Sequence, residues 1–262
     1  YTGISAKDYM DGTSNFYGVH SVTLYVNSVQ VFNSTTDKVL PDENRMINGF
    51  TDYEELTRTR RLIMRSYKLP GNRLRLLHPN ENRGAVTIDE ERDYHFRYVL
   101  EDNFGNRRTY QFIVKGKRQD IPEYKPEANE MLYWNRTNVI QKPGMELVVP
   151  RYYVYEDVPL RTDMRGDSSH IAFDYILDAG RTPIHSYCDL SIGLRHMPVA
   201  DTTKYYIVQK AGKWRSSMGG KYANGWIKTR VRSLGTFSVD VDTIAPQITP
   251  IGQGGWRTSR NI

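Results

Sequence analysis

Cysteine is nearly absent from this sequence. Cys188 is the only one in 262 residues, so neither an internal disulfide framework nor a cysteine-rich metal site can be built. The same scarcity leaves the compartment open, because a secreted domain stabilised by size alone looks like a cytosolic one. Long apolar runs are also missing, and no stretch reaches the roughly twenty residues that a membrane-crossing helix needs. No transmembrane segment is therefore expected. At Tyr1 there is no methionine, basic leader or apolar signal core, so any export signal is expected upstream and the chain reads as a piece of a longer product.

Several catalytic signatures are lacking as well. No GxSxG elbow occurs, and the serines are not read as members of a catalytic triad. The glycines of SMGGK, residues 217–221, lack phosphate-loop spacing and follow no strand leading into a helix. They read as a turn. The net charge of +6 is modest and scattered, and with no recognisable binding module beside it no nucleic-acid partner is expected.

What is present favours β structure. Hydrophobic residues make up 39% and charged residues 25%, a globular composition, and nineteen tyrosines bring the aromatics to 12%. Val22, Leu24 and Val26 alternate with polar neighbours, a short polar break follows, and Val29 and Val31 resume the period, as in a hairpin. Further strands are expected at 74–77, 85–88, 94–100, 109–115, 145–149, 171–177, 189–194, 205–209, 226–231 and 236–241. One helix is expected near 51–67. There Thr51 and Glu54 make a capping box, and Tyr53, Leu56, Arg60, Ile63 and Tyr67 form one stripe before LPGN stops it.

The fold class is thus mostly β: two consecutive antiparallel β-sandwich, Ig-like domains, the first with one helical insertion. The first covers residues 1–118, a charged two-proline linker covers 119–129, the second sandwich covers 130–242, and 243–262 opens a third β-domain.

Five stretches carry a family resemblance: FYGVHSVTLYVNSVQVF, DENRMINGFTDYEEL, MRSYKLPGNRL, NRGAVTIDEERDYHFRYVLEDNFGNRRTYQFIVKGKRQ and GGKYANGWIKTRVRSLGTFSVDVDTIAPQITPI. They resemble the long C-terminal β-region that follows the catalytic domain in lysostaphin-like zinc metallopeptidases of Bacteroidetes-type bacteria, peptidoglycan endopeptidases of the cell envelope. The resemblance spans nearly the whole chain. It implies a parent exported to the periplasm, zinc in its catalytic domain, and no cofactor in this part. It also implies that this part is an accessory region, partnered by the upstream peptidase domain and by an envelope protein or peptidoglycan. Two alternatives stand beside it: a scaffold subunit whose peptidase is degenerate or absent, and a carbohydrate-binding β-sandwich.

In that family zinc is held by H-x-x-x-D and by H-x-H. His170 and Asp174 match the first pattern, but no two of His20, His78, His95, His170, His185 and His196 are separated by a single residue. On a straight strand an i, i+4 pair lies about 13 Å apart, so the two are read as surface residues of a strand and not as metal ligands.

Arg58, Arg60, Arg61, Arg65 and Lys68 crowd the expected helix and its end. They offer a basic docking face for wall polymer, lipid headgroups or an acidic protein, or else a solvated helix surface with the Arg60 stem packed on the sheet. Carboxylates at 89–91 and 101–102 could in principle pair as in a glycosidase, but turns at sheet ends collect such residues anyway. Tyr152, Tyr153 and Tyr155, with Trp134, Trp214 and Trp226, could stack on sugars, and core or domain-interface packing is the ordinary reading of such a run. The tripeptides beginning at Asp201 and Asp242 resemble Bacteroidetes O-glycosylation sites, which marks Thr202 and Thr243 as candidate hydroxyls.

Overall fold

The computed structural model describes residues 1–123, 125–249 and 251. Two hydrophobic cores form, one from residues between Ile4 and Val114 and one from residues between Leu132 and Val241.

The first core lies on one antiparallel sheet. Strands β4 (Ser21–Val26) and β5 (Val29–Thr35) make the expected hairpin. Its two-residue loop places both Asn27 and Ser28 at positive φ, 49° and 70°, as a turn matched to strand twist requires. With β7 (Leu77–Pro79), β8 (Asp93–Glu101) and β9 (Arg107–Lys115) they give the order β7-β5-β4-β8-β9. Val22, Leu24, Phe32, Phe96 and Tyr98 face one way and are buried. Each large apolar side chain fully removed from water there contributes roughly 1.5–3 kcal/mol.

Among the described residues no second full sheet covers that face. The opposing layer is the small ladder of β1 (Gly3–Ile4) with β6 (Met64–Arg65), helix α1 (Ile47–Phe50) and the loop around Leu74. A separate ribbon pairs β2 (Asp8–Tyr9) with β3 (Phe16–Tyr17).

The helix expected over 51–67 is much shorter. Helix α2 spans Tyr53–Thr59, capped by Asp52, whose carboxylate accepts from the Glu55 amide at 3.1 Å. Thr51 is not the cap. It bridges Met64, and its buried hydroxyl has no hydrogen-bond partner. The hydroxyls of Thr57 and Thr59 bond back to carbonyls one turn earlier, and Arg60 takes the left-handed conformation at φ 66° that ends the helix. Ile63 and Tyr67 therefore leave the stripe, because Met64–Arg65 are drawn into the ladder with Gly3–Ile4. The strand expected at 85–88 is likewise absent, and that at 74–77 begins only at Leu77.

The second core is a two-sheet sandwich. One sheet comprises β10 (Glu130–Leu132), β13 (Val158–Arg165), β14 (Asp174–Asp178), β16 (Tyr205–Ala211), β17 (Trp214–Ser217) and β20 (Gly235–Val241), in the order β10-β13-β14-β20-β16-β17. The other comprises β11 (Asn138–Lys142), β12 (Met145–Val149), β15 (Cys188–Gly193), β18 (Lys221–Ala223) and β19 (Trp226–Val231), in the order β11-β12-β15-β19-β18. Alternating residues such as Leu160, Tyr175, Leu177, Ile207 and Phe237 from the first meet Leu147, Leu190, Ile192 and Ile227 from the second. The strand expected from Ile171 starts at Asp174, after a turn that contains His170.

Between the cores, residues 116–129 contain no strand among those described. Asn129 fastens its far end, accepting from the Thr162 amide at 2.8 Å and donating to the Thr162 carbonyl at 2.9 Å. Residues 242–249 follow β20 without regular structure, and the remainder of the expected third domain, save residue 251, lies outside the described residues.

Candidate functional site

The loop 150–157 between β12 and β13 reaches from the second core to the first. Tyr152 sits at φ 67°, an uncommon conformation for a residue with a side chain, and this bends the chain so that Val154 and Tyr155 point inward. The Tyr155 ring lies where only hydrogen is tolerated on Gly49. A Cβ there would stand 2.8 Å from the ring carbons Cγ and Cδ2. Gly71, in the loop after β6, donates its amide to the Tyr155 carbonyl at 2.7 Å, and a Cβ on it would meet the carbonyl oxygens of Val154 and Tyr155 at 3.0 Å.

The Tyr155 hydroxyl donates to the Arg45 carbonyl at 2.8 Å, with His185 Nδ1 3.1 Å away. Since its single proton goes to Arg45, the phenol oxygen accepts from Nδ1–H, and Nε2 is left as the bare nitrogen of a neutral imidazole. Burial raises the Tyr155 pKa, with the Arg45 charge opposing it. Burial, then the Arg45 charge, lowers that of His185. Arg181 extends the contact by donating to the Thr57 hydroxyl at 3.3 Å. Arg73 and Arg151 both lie over the Tyr152 ring, at 5.3 and 4.4 Å. A cleft of about 1120 Å³ opens beside this junction, with the carboxylates of Glu54, Glu127, Glu156 and Asp157 on its walls and Asp178 paired to Arg161.

The aromatic run thus serves the junction between the cores. Of the tryptophans, Trp134 packs at a tilt against Tyr152 and Trp226 is half-buried, while Trp214 is 81% exposed.

The other candidates are not brought together. His170 is in a turn and bonds Asp167 at 2.9 Å, and Asp167 is held well below the usual carboxylate range by Ser169 and by that histidine. Asp174 opens β14 and pairs with Lys210. The two are separated by a bend and not by the straight strand expected, and each has its own partner. Among the described residues no three His, Cys, Asp or Glu side chains gather as a metal site.

The basic residues do not share a helix face. Arg58 pairs with Glu55, Arg60 and Arg61 are exposed in and after the turn that ends α2, and Arg65 lies over the Tyr67 ring. Lys68 is half-buried, donates to the Leu74 carbonyl at 3.3 Å, and has its pKa lowered by burial. Glu90 and Glu101 pair with Arg92 and Arg107, and Asp102 accepts from Asn106, so the carboxylates considered for a glycosidase pair close turns. Thr202 is half-buried in a 3-10 turn, whereas Thr243 is exposed.

Sequence reasoning missed Arg45, Gly49, Gly71 and His185 as junction residues. Gly71 carried a signal, since LPGN was read only as a helix stop, but nothing local links it to Tyr155 across 84 positions.

Residues 129–242 match the Zu5-like domain, a span that coincides with the second core from β10 to β20. No curated protein and no solved structure matches the chain.

Proposed function

We propose that this chain is a non-catalytic interaction region of an exported, lysostaphin-like zinc metallopeptidase acting on cell-wall peptidoglycan, and that it docks or positions the enzyme in the periplasm. The observation that carries the reading is the commitment of several of its chemically capable side chains to structural partners. His170 is spent on Asp167, Asp174 on Lys210, His185 on Tyr155 and Glu43 on Arg75, and Cys188 is buried. The fixed seating of Tyr155 on Gly49 also suits a spacer that must hold an attached domain at a set angle. The resemblance of the five long motifs supplies the parent enzyme.

Sedimentation with purified sacculi tests this. The chain is expected to pellet with peptidoglycan, or to crosslink to an envelope protein in the same preparation, and to release no peptide from the wall. Loss of retention in Arg61→Ala with Arg58→Ala would place the contact on the turn after α2. A chain that neither pellets nor crosslinks, or that cleaves the wall, overturns the proposal. The exposed indole of Trp214 favours a second reading, a glycan-binding module. In that case Trp214→Ala abolishes retention and the arginine variants do not.

A further inference from the structure

We propose that the outer edge of β9 is a strand-addition site for an extended segment of another protein, alternating polar and apolar in sequence and acidic at its ends. This goes beyond the peptidase reading and holds whether or not a catalytic domain accompanies the chain.

Two hydrogen bonds fix which groups of β9 are available. Asp102 N donates to the Asn106 carbonyl at 3.1 Å, and Gly116 N to the Arg92 carbonyl at 2.8 Å, at opposite ends of the β8–β9 ladder. Both are hydrogen-bonded pairs, and such pairs alternate with non-bonded ones along an antiparallel ladder. Residues 108, 110, 112 and 114 therefore bond inward to β8. Arg107, Thr109, Gln111, Ile113 and Lys115 turn their N–H and C=O groups outward. Among the described residues β9 pairs only with β8.

The other sheet edges of the two cores are short. Strand β11 has five residues, β17 four, and β7, β10 and β18 three each, whereas β9 has nine. Short edge strands are a common protection against unwanted pairing. The centre of β9, TYQFIV at 109–114, has no charge, proline or glycine and is rich in aromatic and β-branched residues. Such a hexapeptide on a free edge recruits other strands. Tyr110 and Ile113 are 59% and 52% exposed. On the core side, Tyr110 and Phe112 line a groove of about 640 Å³ with Ile4, Ala6 and Leu100, where alternate side chains of an added strand would lie.

Charge selects the occupant. Two copies joined antiparallel about Gln111 would set Arg107 opposite Lys115 at both ends, and like charges directly opposed destabilise a pair. Among the described residues Arg108, Lys115 and Lys117 have no ion-pair partner, while Arg107 is shared with Glu101 at 2.8 Å. Acids at the ends of an incoming strand would meet these cations.

The test uses the full chain and a short fluorescent peptide of alternating threonine and valine with two glutamates at each end, beside the same peptide with lysines at its ends. Anisotropy is expected to show the acidic peptide binding at least about tenfold tighter. On binding, the amides of Thr109, Gln111 and Ile113 should gain exchange protection, whereas those of Tyr110 and Phe112, already bonded to β8, should not. Gln111→Pro removes one outward N–H and should abolish binding, while Gln111→Thr keeps it. Equal or absent binding of the two peptides, protection at residues other than those outward amides, or a dimer of the chain that the acidic peptide does not dissolve overturns the proposal. Should Gln111→Pro fail to fold, the alternation of protection in the unaltered chain decides alone.

Discussion

The phenol of Tyr155 donates to the main-chain carbonyl of Arg45 across 2.8 Å, a bond between residues 110 positions apart that joins the two cores. Tyr155→Phe keeps the ring on Gly49 and removes this bond together with the one the phenol accepts from His185 Nδ1, so it should cost about 1–3 kcal/mol in urea unfolding. Tyr155→Ala also empties the space the ring fills and should cost about 3–5 kcal/mol. Equal losses for the two would show that the hydroxyl, not the ring, holds the junction.

Gly49 is the other half of that contact. A methyl group at this position would stand 2.8 Å from the Tyr155 ring and 3.0 Å from the Asn72 side-chain nitrogen. Gly49→Ala must push the loop 150–157 away, at about 1–3 kcal/mol. The double variant with Tyr155→Ala should lose less than the sum of the two single losses, since the clash disappears with the ring.

His185 gives the junction a pH dependence. Its pKa is lowered from 6.5 by burial and by Arg45, with Arg73 adding to the effect and Asp42 opposing it. Below 6.5 the unfolded chain takes up a proton that the folded chain resists. Stability from this group is therefore complete above 6.5 and falls as pH drops through the lowered folded value. Urea midpoints measured on either side of this range should diverge for the native chain, and His185→Gln should flatten that part of the profile.

A second step, this one from a carboxylate, lies further into acid. Glu43 is 4% exposed, accepts from Arg75 at 2.6 and 3.0 Å and from the Leu40 amide at 3.1 Å, and is held at about 2. Its contribution is present above the ordinary value of 4.5 and is lost as pH falls toward about 2. Glu43→Gln should remove this part of the acid-unfolding curve and leave the His185 step in place.

Cys188 is 1% exposed, and burial pushes its thiol to about 12. Iodoacetamide at mildly alkaline pH should leave it unmodified in the native chain and alkylate it in urea. Labelling at the rate of a free thiol in the folded chain would contradict its place in the core.

Much of the β structure was legible because burial on one face leaves a period of two. The hairpin at Asn27–Ser28 and strands β12 and β19 follow that pattern closely. The helix was overextended because Ile63 and Tyr67 fit a helical stripe by spacing, while the pairing of Met64 with Ile4, a contact 60 positions distant, decided the matter. His170 was placed on a strand because HIAFD alternates, yet the bonds from Asp167 to Ser169 and His170 make a turn there first. The junction itself was unreadable, since Gly49, Gly71, Tyr155 and His185 meet only in three dimensions.

Among the described residues the two cores touch through Arg45, Gly49, Gly71, Tyr155 and Arg181, which lie outside the segment that joins them in sequence. Lys117 and Arg118 stand exposed along that segment. Trypsin cutting there would give two bands on a denaturing gel but one peak on a sizing column. On that outcome the contacts around Tyr155, and not the covalent connection, are what hold the two halves together once they have folded.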